Sequence, residues 1–221
     1  MLLALVPMSS QDDTFTLQET PSPYHVSSQM YDYRIYVASP NSTAGGDGFL
    51  TTQEPTSGGE KSIVVSEETA LFKSPRLLTD LYVEGYTNQI RIDFWHTVEA
   101  SGPNVNATYT FTMRYGNDVV GTTTERLPAC QSQFLQSCNE VGDSVEINIA
   151  GGFTIPEDEQ LILEITADME GCQDQEPGQG LPSTTCSATL FFNEIDGRTD
   201  YTKIEFKSNA LSQSLLMVQR D

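Results

Sequence analysis

A serine or cysteine nucleophile needs a neighbouring base, and the sequence offers two histidines for that role, His25 and His96. The G-x-S-x-G motif that presents the nucleophilic serine of α/β-hydrolases does not occur. His25 lies in a stretch rich in Pro and Ser, whereas His96 lies in a strand-like stretch with no nucleophile motif around it. We therefore predict no catalytic residue, and we interpret His96 as a partly buried ring that bonds to the backbone at a strand end.

Carboxylates are the most abundant reactive groups, with 31 Asp and Glu residues in the chain. Two carboxylates at a suitable separation are sufficient for glycoside hydrolysis. Acids in strand-like stretches include Asp93, Glu99, Glu146, Glu164 and Glu194. Their spacing selects no pair, because alternate residues of a strand face water. A carbohydrate-active enzyme with a carboxylate pair is thus an alternative prediction.

The segment "NEIDGRTD" places three oxygen-bearing side chains around a glycine, Asn193, Asp196 and Asp200. Calcium takes about six to eight oxygen ligands, many of them from loops of this composition. The spacing of an EF-hand is absent, and a hairpin with Asp-Gly at its turn explains the same letters. Calcium is therefore a candidate cofactor at these three residues, with the plain hairpin as the alternative.

Carbohydrate binding is the other chemistry that the residue types suggest. Sugar rings stack on exposed aromatic side chains, while polar side chains bond to the hydroxyl groups. Trp95 is the only Trp of the chain, and it shares a strand face with Arg91 and Asp93. Tyr82 and Tyr86 are close in sequence, so these five residues are the candidate ligand-binding set. The alternative is that Trp95 packs beneath the N-terminal segment.

The net charge excludes several classes of partner. Eleven Lys and Arg residues face 31 acids, giving a formal net charge of −20 and a pI near 4.2. Nucleic acids require clustered cations, and anionic membrane surfaces disfavour a polyanion. No segment is apolar for long enough to span a bilayer. We expect no nucleic-acid partner and no membrane span.

Cysteine and sequon positions indicate an oxidising compartment. The separations of the four cysteines favour two local disulfides, Cys130–Cys138 and Cys172–Cys186. Two Asn-x-Ser/Thr sequons, at Asn41 and Asn106, are candidate glycosylation sites. The opening letters "MLLALVPMSSQDD" resemble the end of a signal peptide. The protein is therefore predicted to be secreted or displayed at the cell surface.

Period-two alternation in many short strands predicts an all-β fold, a two-sheet sandwich or a barrel, with an irregular N-terminal extension. We predict a signal-peptide remnant at 1–11, a polar extension with short strands at 12–66 and the sandwich domain at 67–221. In "QIRIDFWHTVEA" the alternation points Phe94 and His96 inward and Trp95 outward. The extension, through "QDDTFTLQET", could pair with the sheet edge of a second copy.

Three phrases in the sandwich region resemble a known family: "FKSPRLLTDLYVEG", "IRIDFWHTVEASG…ATYTFTMRYG" and "FTIPEDEQLILEITAD". The chain is similar to the galactose-binding-like jelly-roll that forms the accessory C-terminal β domain of X-prolyl dipeptidyl peptidases and related acyl-ester hydrolases. The matching residues are Ser74, Pro75, Leu78, Asp80, Leu81, Val83, Gly85, Ile155, Pro156, Leu161, Leu163 and Ile165. The segment 157–160 departs from the family pattern of a glycine followed by basic residues. The resemblance implies a two-sheet antiparallel β-sandwich of jelly-roll type. It implies no catalytic residue, because the family's triad lies in another domain.

Together these observations predict a non-catalytic, disulfide-linked module that binds a glycan or another extracellular protein, or that has a structural or adhesive role. The two alternatives are the carboxylate-pair enzyme and a subunit that self-assembles through its N-terminal strand.

Overall fold

The structure is a computed structural model that describes residues 31–39, 46–52, 54–55, 59–78, 80–83, 89–102, 104–131, 138–149, 151–172, 186–193 and 201–208. Every regular element within these ranges is a β-strand. The described residues include no helix that is long and apolar enough to cross a membrane. The strands are β1 (Tyr31–Ala38), β2 (Gly48–Thr51), β3 (Glu60–Val64), β4 (Ala70–Lys73), β5 (Leu81–Val83), β6 (Gln89–Ala100), β7 (Asn106–Tyr115), β8 (Asp118–Pro128), β9 (Cys130–Gln131), β10 (Val141–Asn148), β11 (Phe153–Ile155), β12 (Leu161–Glu170), β13 (Cys186–Asn193) and β14 (Lys203–Ser208).

The strands form the two facing layers of a β-sandwich, which confirms the predicted fold class. One layer contains β3, β13, β6 and β10, with β14 beside the first half of β6. The other layer contains β4, β12, β7 and β8. Nearly all the pairs are antiparallel; the parallel pairs are β2 with β4 and β6 with β9.

Strands from before residue 67 belong to this sandwich. β1 pairs with β14, β2 joins β1 to β4, and β3 pairs with β13. Hydrogen bonding is therefore continuous from one layer to the other along β1, β2 and β4. From β1 onward, the polar extension contributes to the core, where Ile35 and Val37 are fully buried. The proposed self-association segment, residues 11–20, lies outside the described residues.

Aromatic rings from the two layers meet at the centre of the core. The Phe94 ring of β6 lies 4.7 Å from the Phe111 ring of β7 and 5.8 Å from that of Tyr109. Phe72 of β4 meets Phe192 of β13 edge-on at 5.1 Å. These strands are not hydrogen-bonded partners, so the contacts connect one layer to the other and hold the layers together.

The predicted faces are largely correct. Phe94 and His96 are buried and Trp95 is half-buried, as the alternation in β6 indicates. Thr97 of β6 and Ile162 of β12 depart from the pattern, since both are buried although their parity points outward. Ile162 lies between Lys73 of β4 and Arg114 of β7, and Thr97 lies opposite Thr189 of β13.

Two of the family-like phrases bond to each other. Ser74, which is 1% exposed, accepts a hydrogen bond at Oγ from the Leu161 amide, and its own amide donates to the Leu161 carbonyl. The Leu77 amide donates to the Glu159 carbonyl, and Asp80 accepts at Oδ1 from the Glu157 amide. The segments around residues 74–80 and 157–161 therefore act as one clamp at the start of β12.

The two disulfides join the cysteine pairs that the sequence spacing favours. Cys130 bonds to Cys138 and Cys172 to Cys186, with sequence separations of 8 and 14 residues. The first lies between β9 and the start of β10, and the second ties the end of β12 to the start of β13.

We predict that Ser74→Ala lowers the free energy of unfolding by about 1–3 kcal/mol, because it leaves the buried Leu161 amide without its side-chain acceptor. Urea denaturation followed by circular dichroism measures this change. Ser62→Ala, on the exposed side of β3, is the matched control and should change stability by less than about 0.5 kcal/mol. Equal effects of the two substitutions would contradict the clamp.

We predict that removing either disulfide by paired Cys→Ser substitution costs about 2–4 kcal/mol, since each bridge restricts the unfolded chain. The loss should be slightly larger for Cys172–Cys186, which closes the longer loop. Urea midpoints of the two double variants check this. An unchanged midpoint in either variant would show that the corresponding bridge does not stabilise the fold.

Candidate functional site: the outer face of the β6 layer

The strand register places the candidate residues of β6 directly opposite residues of β10, β13 and β14. Arg91 lies opposite Glu146 of β10 and Glu205 of β14, and Asp93 lies opposite Ser144 and Lys203. Trp95 lies opposite Gly142 on one side and Phe191 of β13 on the other. Because directly opposed residues of a sheet share a face, these side chains form three adjacent rows on the outer surface of the layer.

A shallow, open depression of ≈ 450 Å³ lies on this surface. Three of the five predicted ligand-binding residues, Arg91, Asp93 and Trp95, are among those that line it. The other lining residues are Phe94, Gly142, Asp143, Ser144, Tyr201 and Lys203. Trp95 and Tyr201 are both half-buried, so the depression combines partly exposed aromatic rings with charged and hydroxyl groups.

A ladder of alternating charges starts on the floor of the depression, at Arg91, Asp93 and Lys203, and continues beyond it. Arg91 donates through Nε to Asp93 at 2.7 Å, and Lys203 lies 3.4 Å from Asp93 and 3.3 Å from Glu205. Arg34 continues the ladder, since it donates through Nε to Glu205 at 2.7 Å. Partial burial opposes ionisation of Glu205, but hydrogen bonds from Arg34 and Lys203 outweigh it and lower the pKa of this carboxyl. The ladder fixes the orientation of the charged side chains along the floor.

The absence of a side chain at Gly142 provides space for the indole ring. A Cβ atom at this position would lie 3.0 to 3.1 Å from three atoms of the Trp95 ring. The backbone of Trp95 is also anchored, because its amide donates to Oγ1 of the buried Thr202, which donates in turn to the Phe191 carbonyl. The Trp95 ring is thus positioned by the close approach of Gly142 in β10, and the Trp95 backbone is held by Thr202.

Several site residues were not found by sequence reasoning. Gly142, Asp143, Ser144, Tyr201 and Lys203 lie 47 or more positions from Trp95 along the chain and reach it through strand pairing. The alternation of "YTKIEF" does show that Lys203 and Glu205 face outward. No pattern in the sequence shows that β14 adjoins β6.

Tyr82 does not line the depression. It is half-buried on β5, which meets β14 at Ser208, five residues from Lys203 and therefore roughly 17 Å along the strand. Its hydroxyl end lies against Gly152, where an added Cβ would clash with it. Tyr86 lies outside the described residues, so its predicted role is untested.

The predicted calcium site is only partly within the described residues. Asn193 is 2% exposed and uses its amide structurally, accepting from the Ser39 amide and donating to the Gly59 carbonyl. Asp196 and Asp200 lie outside the described residues. Within the described ranges, no group of three or more His, Cys, Asp or Glu side chains is placed to hold a metal ion.

Of the two sequons, Asn106 opens β7 and is half-buried, with Glu170 and Pro128 opposite it on the adjoining strands. Thr108 of this sequon donates through Oγ1 to Glu170. Asn41 lies outside the described residues, and glycosylation at both positions stays a prediction.

His96 points into the core. It is 6% exposed, and its ring lies 5.2 Å from the Phe94 ring and 5.5 Å from that of Tyr109. In contrast to our expectation of a bond to the backbone, neither ring nitrogen has a hydrogen-bond partner among the described residues. Burial lowers the pKa of His96, and the charge of Asp143 opposes this shift only in part. His96 is therefore a neutral member of the aromatic core near neutral pH.

Comparison with known proteins gives likenesses of fold. A CocE/NonD family hydrolase from Staphylococcus aureus matches with a TM-score of 0.53 and 10% identity, over 82% of this chain and 37% of that chain. An aminopeptidase from a marine sediment archaeon, Thaumarchaeota archaeon, matches with a TM-score of 0.50 and 8% identity, also over 82% and 37%. No family model and no curated protein sequence matches the chain.

At these identities the likeness shows the fold alone. The chain spans about 37% of the length of the hydrolases that it resembles. This partial coverage fits the predicted resemblance to an accessory β domain, and the all-β architecture agrees with it. The activities of the whole hydrolases do not follow from it.

We predict that acid destabilises the protein through His96. The pKa of the folded state is lowered, so the unfolded chain binds the proton first and stability falls as pH drops below about 6.5. The slope should reach at most about 1.4 kcal/mol per pH unit. Urea unfolding between pH 8 and pH 5 measures it, with His96→Phe as the non-titrating comparison. Parallel pH dependences of the two proteins would contradict this role of His96.

Proposed function

We propose that the protein is a non-catalytic, extracellular β-sandwich module that binds carbohydrate on the outer face of its β6 layer. The observation that carries this proposal is the depression in which the Trp95 ring lies beside the Arg91–Asp93–Lys203 ladder. An indole offers the C–H face of a sugar a flat apolar surface, while the adjoining charged groups bond to hydroxyls. The shallow, open shape suits part of a longer chain of sugars better than a small buried ligand.

The rigidity of the site supports binding. Trp95 is fixed by Thr202 and by the close approach of Gly142, and Arg91 and Lys203 are fixed by Asp93. Side chains that are already ordered lose less conformational entropy when a ligand binds. Tyr201 adds a second aromatic group, which is itself packed edge-on against Tyr36 at 5.5 Å.

Secretion is proposed on separate grounds. The two disulfides require an oxidising environment to form and persist. A high negative charge favours solubility outside the cell, where salt screens self-repulsion. Both properties suit a soluble module of an exported protein.

A non-catalytic role is proposed because the likeness to hydrolases covers about a third of their chains. Asp93, the carboxylate closest to Trp95 in sequence, is bonded to Arg91 and Lys203, so it is held as a structural anion. Arg91 donates to Oδ1 of Asp93 and Lys203 lies nearest to Oδ2, so both oxygens of this carboxylate already have a cationic partner.

The experiment is a glycan-array screen of the disulfide-bonded protein, followed by calorimetric titration of the best ligand. We predict that Trp95→Ala lowers the affinity about 10-fold or more, equivalent to about 1.4 kcal/mol. Trp95→Phe should retain part of the affinity, since it keeps an aromatic surface. Gly142→Ala should weaken binding by a smaller factor, because its Cβ displaces the indole ring.

The matched control is Arg126→Ala on β8, in the opposite layer, whose ion pair with Glu170 is exposed. It should leave the affinity unchanged. Thermal melts establish that each variant is folded, and chromatography of the ligand after incubation tests for hydrolysis. Unaltered affinity in folded Trp95→Ala, or cleavage of the ligand, would contradict the proposal.

A further inference from the structure

We infer that the ligand of the β6 face is an uncharged saccharide, and that acidic glycans such as hexuronate or sulfated chains are rejected. This inference rests on the proposed function and names the substrate class of the same site. It follows from the distribution of charge in the depression, from the hydrogen-bonding chemistry of the ladder and from the charge of the whole chain.

The cations of the depression are already paired. Arg91 and Lys203 line it together with two carboxylates, Asp93 and Asp143, so its charged lining is balanced. Lys203 lies between Asp93 and Glu205, at 3.4 and 3.3 Å. An anionic ligand would have to displace one of these carboxylates or place its charge beside them, and like charges at such distances repel.

The ladder instead matches the chemistry of a hydroxyl group. Guanidinium and ammonium groups only donate hydrogen bonds, and carboxylates only accept them. A sugar hydroxyl does both, so it satisfies a donor and an acceptor of the same ion pair without separating them. A carboxylate or sulfate on a ligand only accepts, and it leaves Asp93 and Asp143 unsatisfied when it covers them.

The field of the whole protein acts in the same direction. The formal net charge is −20, so a polyanion approaches against long-range repulsion, which is strongest at low salt. A neutral oligosaccharide experiences no such force. Its affinity should therefore depend little on ionic strength.

The test compares three oligosaccharides of equal length that carry no charge, one carboxylate per sugar or one ammonium per sugar. Calorimetric titrations at about 0.02 M and about 0.5 M NaCl span strong and weak screening. We predict that the neutral chain binds at least 10-fold more tightly than the acidic chain, and that its affinity changes less than twofold with salt. Binding of the neutral chain should be lost in Trp95→Ala.

Glu205→Gln provides an independent check of the charge argument. It removes a carboxylate that holds Lys203 and Arg34 but does not line the depression. The ratio of the affinity for the acidic chain to the affinity for the neutral chain should then rise about threefold relative to the parent protein, and an unchanged ratio would contradict the charge argument. Folding of this variant is verified by its thermal melt.

The outcomes separate the inference from the proposed function. The inference is overturned if the acidic or the ammonium-bearing chain binds more tightly than the neutral chain, in a manner that depends on salt and requires Trp95. The proposed carbohydrate site would then still stand. If no saccharide binds in a manner that depends on Trp95, both the inference and the proposed function are wrong.

Discussion

The fold and the candidate site depend on the alternation of a single strand, β6, between Gln89 and His96. Its inward residues, Ile92 and Phe94 among them, supply the centre of the core, where Phe94 meets rings from β7. Its outward residues, Arg91, Asp93 and Trp95, line the depression. A shift of register by one residue would exchange the two sets. The core packing that fixes the register of β6 therefore also fixes the positions of the site residues.

The neighbours of β6 convert this alternation into a surface. β10 pairs with β6 from Gln89 to His96, and β14 and β13 share its other edge. Thr202 lies where β14 gives way to β13, and it bonds to both the Trp95 amide and the Phe191 carbonyl. The junction between two strands on one edge thus coincides with the position of the indole ring. This arrangement orders an aromatic group on a sheet face without a deep cavity around it.

The sequence predicts those features of this protein that depend on residues close together in the chain. Strand faces depend on neighbours two residues apart, so the inward Phe94 and outward Trp95 were correctly predicted. The two disulfides close short loops, and their pairing was favoured by the same local reasoning. The partners of β6 are contributed by distant segments, so Lys203, Tyr201 and Gly142 were not recognised. Tyr82 was included because it is near in sequence, yet β5 directs it elsewhere. The structural role of Ser74 in its family-like phrase could not be predicted, because it depends on a hydrogen bond from the distant Leu161 amide.

Trp95 is the only Trp of the chain, so intrinsic Trp fluorescence reports on the proposed site alone. The most direct test is a fluorescence titration of the native protein with a neutral oligosaccharide identified by the array, with acrylamide quenching at each step. The account predicts a saturable change in emission and reduced quenching, with the same dissociation constant as calorimetry. A saccharide that binds by calorimetry while the emission and quenching of Trp95 stay constant would contradict it.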